Sequence, residues 1–131
     1  MDIDWRSEKC HLLLNPALPE DKKIRLNHLD WNPYRGHIWI NTSGTSSKDT
    51  LKVIGISKKS LLASAKSVNE HLKVSSKEIW LNVLPTFHVG GLGILARAYL
   101  GENIVIDHSS LKWNPEDFHK DIEVESVTLS S

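Results

Sequence analysis

The chain has 131 residues, which suits one domain or part of one and allows a modest core. Sixteen Lys and Arg balance sixteen Asp and Glu, so the formal charge is zero and there is no basic excess of the kind a nucleic-acid surface needs. Hydrophobic residues make up 40%, an ordinary share for a globular protein, and no apolar run reaches the roughly 20 residues that span a bilayer.

The N-terminus, Met1-Asp2-Ile3-Asp4-Trp5, is acidic and lacks the apolar stretch of a secretory signal. Cys10 is the single cysteine, so no internal disulfide can form and a reducing, cytoplasmic setting is expected. Nothing beside Cys10 marks a thiolate-stabilising site, so it reads as an incidental thiol. Residues 1–35 form a mixed lead punctuated by Pro16, Pro19 and Pro33, in which Pro19 to His28 suits a short helix. His37-Ile38-Trp39-Ile40-Asn41 alternates and is rich in strand formers, which predicts a strand. The polar run Thr42 to Thr50, with Gly44 inside it, reads as a loop, and Lys52 to Ile56 as a second strand.

Ser57 is a plausible N-cap for a helix running to about Leu72, where Leu61, Ala65, Val68 and Leu72 form one apolar stripe. Ile79 to Leu84 reads as a buried strand ended by Pro85. A glycine turn is expected at Gly90, Gly91 and Gly93, then a helix from Ile94 to Leu100 and a strand from Asn103 to Asp107. Asn114-Pro115-Glu116-Asp117 is a helix start with Pro at the first helical position, and Ser126 to Leu129 reads as a last strand. Strands alternating with helices predict an α/β domain with parallel pairing over residues 36–131.

Two segments carry chemistry. In Asn41-Thr42-Ser43-Gly44-Thr45-Ser46-Ser47-Lys48, hydroxyls, a glycine and a lysine sit between two strands, a composition that can wrap polyphosphate. The spacing is not that of the nucleotide-triphosphatase P-loop. In Leu84-Pro85-Thr86-Phe87-His88-Val89-Gly90-Gly91-Leu92, a histidine follows a buried strand beside an aromatic, at the kind of strand end where open α/β sheets bind ligands. The other histidines show no H-x-x-x-H or H-E-x-x-H spacing, so no zinc site is expected. Glu116, Asp117, Asp121, Glu123 and Glu125 read as a solvated helix face.

In this order the two segments resemble the adenylate-forming superfamily of acyl-CoA synthetases, luciferases and peptide-synthetase adenylation domains. Thr42-Ser43-Gly44-Thr45 matches the first half of its T-S-G-T-T-G-x-P-K-G loop, and Lys52 falls at its lysine. Leu84 to Leu92 closely matches its L-P-L-F-H-x-x-G-L segment. Ser47 stands where the second loop glycine is usual, the loop proline is missing, and Val53 follows Lys52 in place of glycine, so a weakened grip on ATP is expected. The segment from Phe87 to Leu100, with Arg97 on its helix, looks most like the o-succinylbenzoate–CoA ligases of menaquinone biosynthesis.

The resemblance implies a fold, part of the large N-terminal domain of such an enzyme, with a mostly parallel sheet and flanking helices. It also implies a reaction in two halves: a carboxylate attacks the α-phosphate of Mg²⁺-ATP, and the thiol of coenzyme A then displaces AMP. Thr42, Ser43, Gly44, Thr45, Ser46, Ser47, Lys48 and Lys52 would hold the phosphates. His88 would be catalytic, and Phe87, His88, Gly91 and Arg97 would meet the acid, Arg97 as partner for a second carboxylate. No protein metal ligand is implied in this stretch. The adenine- and ribose-binding segments, an acidic Mg²⁺ contact and a late lysine would follow Ser131, so this stretch is expected to be inactive without the remainder of the protein. Two other readings are a non-catalytic nucleotide- or acyl-binding module and a scaffold sharing only the fold.

Overall fold

The structure, a computed structural model, describes residues 2–42 and 51–130. The chain divides into two compact units, residues 1–60 and 61–131.

The first unit is built on a three-stranded sheet in the order β1-β2-β3: β1 is His11–Leu13, β2 His37–Asn41 and β3 Val53–Ser57. Between β1 and β2 lie helix α1 (Glu20–His28) and a single 3₁₀ turn, Asn32–Tyr34. β1 has no signature in the sequence, because three residues show no periodicity. It is a strand because β2 supplies a parallel partner, pairing His11 with Ile38 and Leu13 with Ile40. Parallel pairing is wrong for β2 and β3, which run antiparallel from His37↔Ser57 to Asn41↔Val53. Eleven residues separate them, fewer than the dozen or more a parallel crossover needs, and so short a link returns the chain antiparallel.

Leu13, Leu26, Ile38 and Ile40 form the buried side of this unit. On the alternate positions Trp39 lies across the strand from Gly55, and its ring occupies the space a side chain there would need. A Cβ on Gly55 would sit 2.6 Å from the indole. Trp31 and Tyr34 pack against the same ring, with centroids 4.8 and 5.1 Å away.

Helix α2 (Lys58–Leu72) begins at the end of this unit. Ser57 caps it as expected, its Oγ accepting from the Ser60 amide at 3.0 Å. Lys58 is buried, and its ammonium donates to the Asp4 and Ser7 carbonyls, tying down the N-terminal segment. Along the predicted stripe Leu61 and Ala65 are buried, whereas Leu72, the last helical residue, is exposed.

The second unit holds an all-parallel sheet in the order β5-β4-β6, with β4 at Ile79–Asn82, β5 at Ile104–Asp107 and β6 at Leu129–Ser130. Helix α3 (Val89–Gly101) connects β4 to β5, and helix α4 (Pro115–Val124) connects β5 to β6. Trp80, Ile94 and Ala98 form the core, flanked by Val74, Val105 and Leu129. Asn114 caps α4, accepting from the Glu116 and Asp117 amides, with Pro115 at the first position. β6 starts three residues later than expected: Ser126 adopts a positive φ, and pairing with β4 begins with Thr128, whose amide donates to the Ile79 carbonyl.

The expected glycine turn is instead the opening of a helix. α3 starts at Val89, and Gly90, Gly91 and Gly93 lie inside it. At Gly91 the role is close approach. A Cβ on Gly91 would lie 2.6 Å from the Leu84 carbonyl oxygen and closer still to that of Pro85, so the first turn of α3 rests directly on the loop leaving β4. No helix among the described residues is long and apolar enough to cross a membrane.

Candidate functional site

Parallel β4 and β5 end together, and a polar network joins their ends. At the last position of β4, Asn82 is fully buried. Its side-chain oxygen accepts from the Leu84 amide at 3.1 Å, and its Nδ2 donates to Asp107 Oδ1 at 3.3 Å, at the matching end of β5. Asp107 Oδ1 also accepts from the Ser109 amide. The His108 amide donates to the Asn82 carbonyl, and His108 Nδ1 lies 2.9 Å from Asp121 on α4. Asp121 is therefore half-buried and paired, a correction to its reading as part of a solvated face; Glu116, Asp117, Glu123 and Glu125 are exposed. Sequence reasoning passed over Asn82 and Asp107. The available signal was a polar residue closing each of two apolar strands, Ile79-Trp80-Leu81-Asn82 and Ile104-Val105-Ile106-Asp107.

From Asn82 the chain runs through Leu84 and Pro85 to Phe87 and His88. The His88 amide donates to the Pro85 carbonyl, closing a tight turn, and His88 is the N-cap residue of α3 in an extended conformation. Its side chain makes no capping bond, so the imidazole is free to face a ligand. It is exposed and packs on Phe87, ring centroids 5.1 Å apart. No acidic residue lies in the first turn of α3, which leaves the positive end of the helix beside His88 uncompensated and favourable to an anion.

Phe87, His88 and Gly91 are thus brought together by the loop and the first turn of α3. Arg97 is not brought to them. Its backbone, nine residues beyond His88, lies about 13 Å further along the helix axis, and its guanidinium folds back beside Gly93, the carbon 5.8 Å from the centre of the buried Trp80 ring. A cleft beside the strand ends, lined by Val83, His108, Trp113, Phe118 and Asp121, measures about 40 Å³ and has room for a few water molecules.

Of the phosphate-loop residues, Thr42 and Lys52 are described and belong to the first unit. They meet at the loop's stem, where the Thr42 amide donates to the Lys52 carbonyl at 3.0 Å and extends the β2–β3 ladder by one step. Ser43, Gly44, Thr45, Ser46, Ser47 and Lys48 lie outside the described residues. Among the described residues no three His, Cys, Asp or Glu side chains are placed to hold a metal ion.

No protein-family model and no curated protein matches the chain. Solved structures do. Seventy-one per cent of the chain superposes on 23% of the o-succinylbenzoate CoA synthetase (MenE) of Bacillus subtilis, solved with its acyl-adenylate intermediate, at 27% identity and a TM-score of 0.61. A Rhodopseudomonas palustris protein assigned as a long-chain-fatty-acid CoA ligase is 29% identical, with 71% of this chain on 22% of that one and a TM-score of 0.58. ATP-bound MatB from the same organism, 17% identical over 71% of this chain and 18% of its own at a TM-score of 0.58, shares the fold.

The chain spans about a quarter of the length of these enzymes. It has the α/β fold of the N-terminal portion of the adenylate-forming enzymes and resembles that superfamily. Within it, the resemblance extends to o-succinylbenzoate CoA synthetase.

Proposed function

We propose that the chain is the part of an ATP-dependent acid–CoA ligase that grips the ATP phosphates and the acid, and that the acid is o-succinylbenzoate. The observation that carries this reading is the loop from Leu84 to Leu92. It leaves the C-terminal end of a parallel strand, presents an uncommitted His88 beside Phe87 at a helix N-terminus, and is held by the approach of Gly91 to its backbone. The likeness to the Bacillus subtilis synthetase supports the choice of acid. Forms of that enzyme are solved with ATP and magnesium ion and with the product analogue OSB-NCoA.

Activating a carboxylate with ATP requires two anions to approach. Preorganised donors lower that cost most when they need not reorient. On this reading Thr42 to Ser47 donate to the phosphates, and Lys48 and Lys52 add positive charge. Mg²⁺ would share the phosphate charge. His88 and the first turn of α3 receive the carboxylate, with Phe87 and Gly91 shaping the wall. Coenzyme A is the acyl acceptor, and the setting is the cytoplasm.

The chain matches 23% of the length of the Bacillus subtilis synthetase, and the 131-residue chain is expected to bind Mg²⁺-ATP without turning it over. Titration of the ¹⁵N-labelled chain with millimolar Mg²⁺-ATP should shift the Thr42 and Lys52 amides. An unchanged spectrum refutes the phosphate-loop assignment, and acid-dependent pyrophosphate release by the isolated chain refutes binding without turnover.

A further inference from the structure

We propose that Asn82 is the positioning residue of the His88 loop, acting through the Leu84–Pro85 backbone. Asn82 is a primary amide with none of its surface exposed, at the end of an apolar strand. A buried amide is tolerated when its groups are hydrogen-bonded, and here each half of it ties down a different piece of chain. The oxygen holds the Leu84 amide at 3.1 Å; the nitrogen reaches Asp107 at 3.3 Å, and Asp107 also holds Ser109. The Asn82 backbone carbonyl accepts from His108.

From the other side, Gly91 sits so close to the Leu84 and Pro85 carbonyls that no side chain fits between them. The two-residue segment Leu84–Pro85 is therefore clamped between the Asn82 amide and the first turn of α3. His88, bonded through its amide to the Pro85 carbonyl, inherits that fixed position. An apolar residue in place of Asn82 would serve the core as well, yet would leave the Leu84 amide and the Asp107 carboxylate without this partner. The amide is thus explained by bracing the loop, and its catalytic consequence rests on the acid-binding reading of His88.

The hydrogen-bond pattern supplies a discriminating test. Asn82→Asp places two carboxylates against each other. Combining Asn82→Asp with Asp107→Asn restores the bond between the two strand ends with the donor reversed, at the expense of the Ser109 bond, which shares the same Asp107 oxygen in the wild-type chain. The carboxylate introduced on β4 then accepts from the Leu84 amide and from the side-chain amide introduced on β5. Amide hydrogen exchange and the His88 ring signals are followed by NMR in the full 131-residue chain. Asn82→Asp should speed exchange at Leu84 about tenfold or more and split or broaden the His88 signals, while Trp80 and Leu81 keep their protection. The double variant should return both to the wild-type pattern.

If Asn82→Asp does not fold, Asp107→Ala, at an exposed strand end, should still loosen Leu84 and His88 together. Wild-type exchange in Asn82→Asp or in Asp107→Ala, or no recovery in the double variant, overturns the proposal. Titration with o-succinylbenzoate separates the two readings. Bracing as described with His88 signals unmoved by the acid in the wild-type chain leaves Asn82 as the brace and removes the acid-binding role of His88.

Discussion

Gly91 and Gly93 lie two residues apart in α3, and the same substitution should act on them with opposite sign. In Gly91→Ala the new methyl meets two backbone carbonyls, that of Leu84 at 2.6 Å and that of Pro85 closer. Real Cβ contacts stay beyond 3.0 Å, so helix and loop must part by several tenths of an ångström. Neither oxygen can swing aside as a flexible side chain would. Overpacking of this kind costs about 1–3 kcal/mol, and the better helix propensity of Ala returns about 1 kcal/mol. A net loss of up to about 2 kcal/mol follows for Gly91→Ala.

In Gly93→Ala the nearest atom is Arg97 Nη2 at 3.6 Å, an ordinary contact. The propensity gain then stands alone, up to about 1 kcal/mol. Urea unfolding followed by far-ultraviolet circular dichroism should therefore separate the two variants by about 1 M in midpoint, with the wild-type chain between them. A Gly91→Ala chain as stable as wild type would show that the seat of α3 on the Leu84–Pro85 loop is not a close one, and the positioning of His88 argued from it would fall with it.

Gly55→Ala should destabilise the β1-β2-β3 sheet by about 1–3 kcal/mol, because its methyl enters the space filled by Trp39; restoration by a second change, Trp39→Leu, in urea melts is the expected confirmation. Burial, followed by the charges of Lys58 and Lys9, holds the His11 imidazolium below its ordinary value near 6.5. The unfolded chain therefore takes up the proton first, and stability falls as pH drops below about 6.5. In His11→Gln that part of the acid loss should vanish from the pH dependence of the unfolding midpoint, and an unaltered profile would exclude His11 as its source.

Local signals read correctly where the deciding partners are a few residues away. Ser57 and Asn114 are identifiable as helix caps because each bonds an amide within three residues of itself. The strands at His37–Asn41 and Ile104–Asp107 are legible because their side chains are nearly all strand formers. In the candidate site, Phe87, His88 and Gly91 are legible as a loop segment, and the structure places them as neighbours around one helix start. Gly90 and Gly91 read as a turn in the sequence because glycine is ambiguous by itself. The same residue serves a bend or a close approach, and only the carbonyls of Leu84 and Pro85 say which.

What the sequence determined by itself was therefore the alternation of strands and helices, their caps, and the two segments whose residue types suit phosphate and carboxylate. The tertiary structure decided which strands pair and in which direction, as in β1 with β2 and the antiparallel return of β3. It also decided that Asn82 braces a loop through Asp107, 25 residues away, and that Asp121 answers His108. The reason is physical. Helix caps and periodicities are satisfied within one turn of chain, whereas a strand edge or a buried amide is satisfied by whatever the folded chain brings beside it.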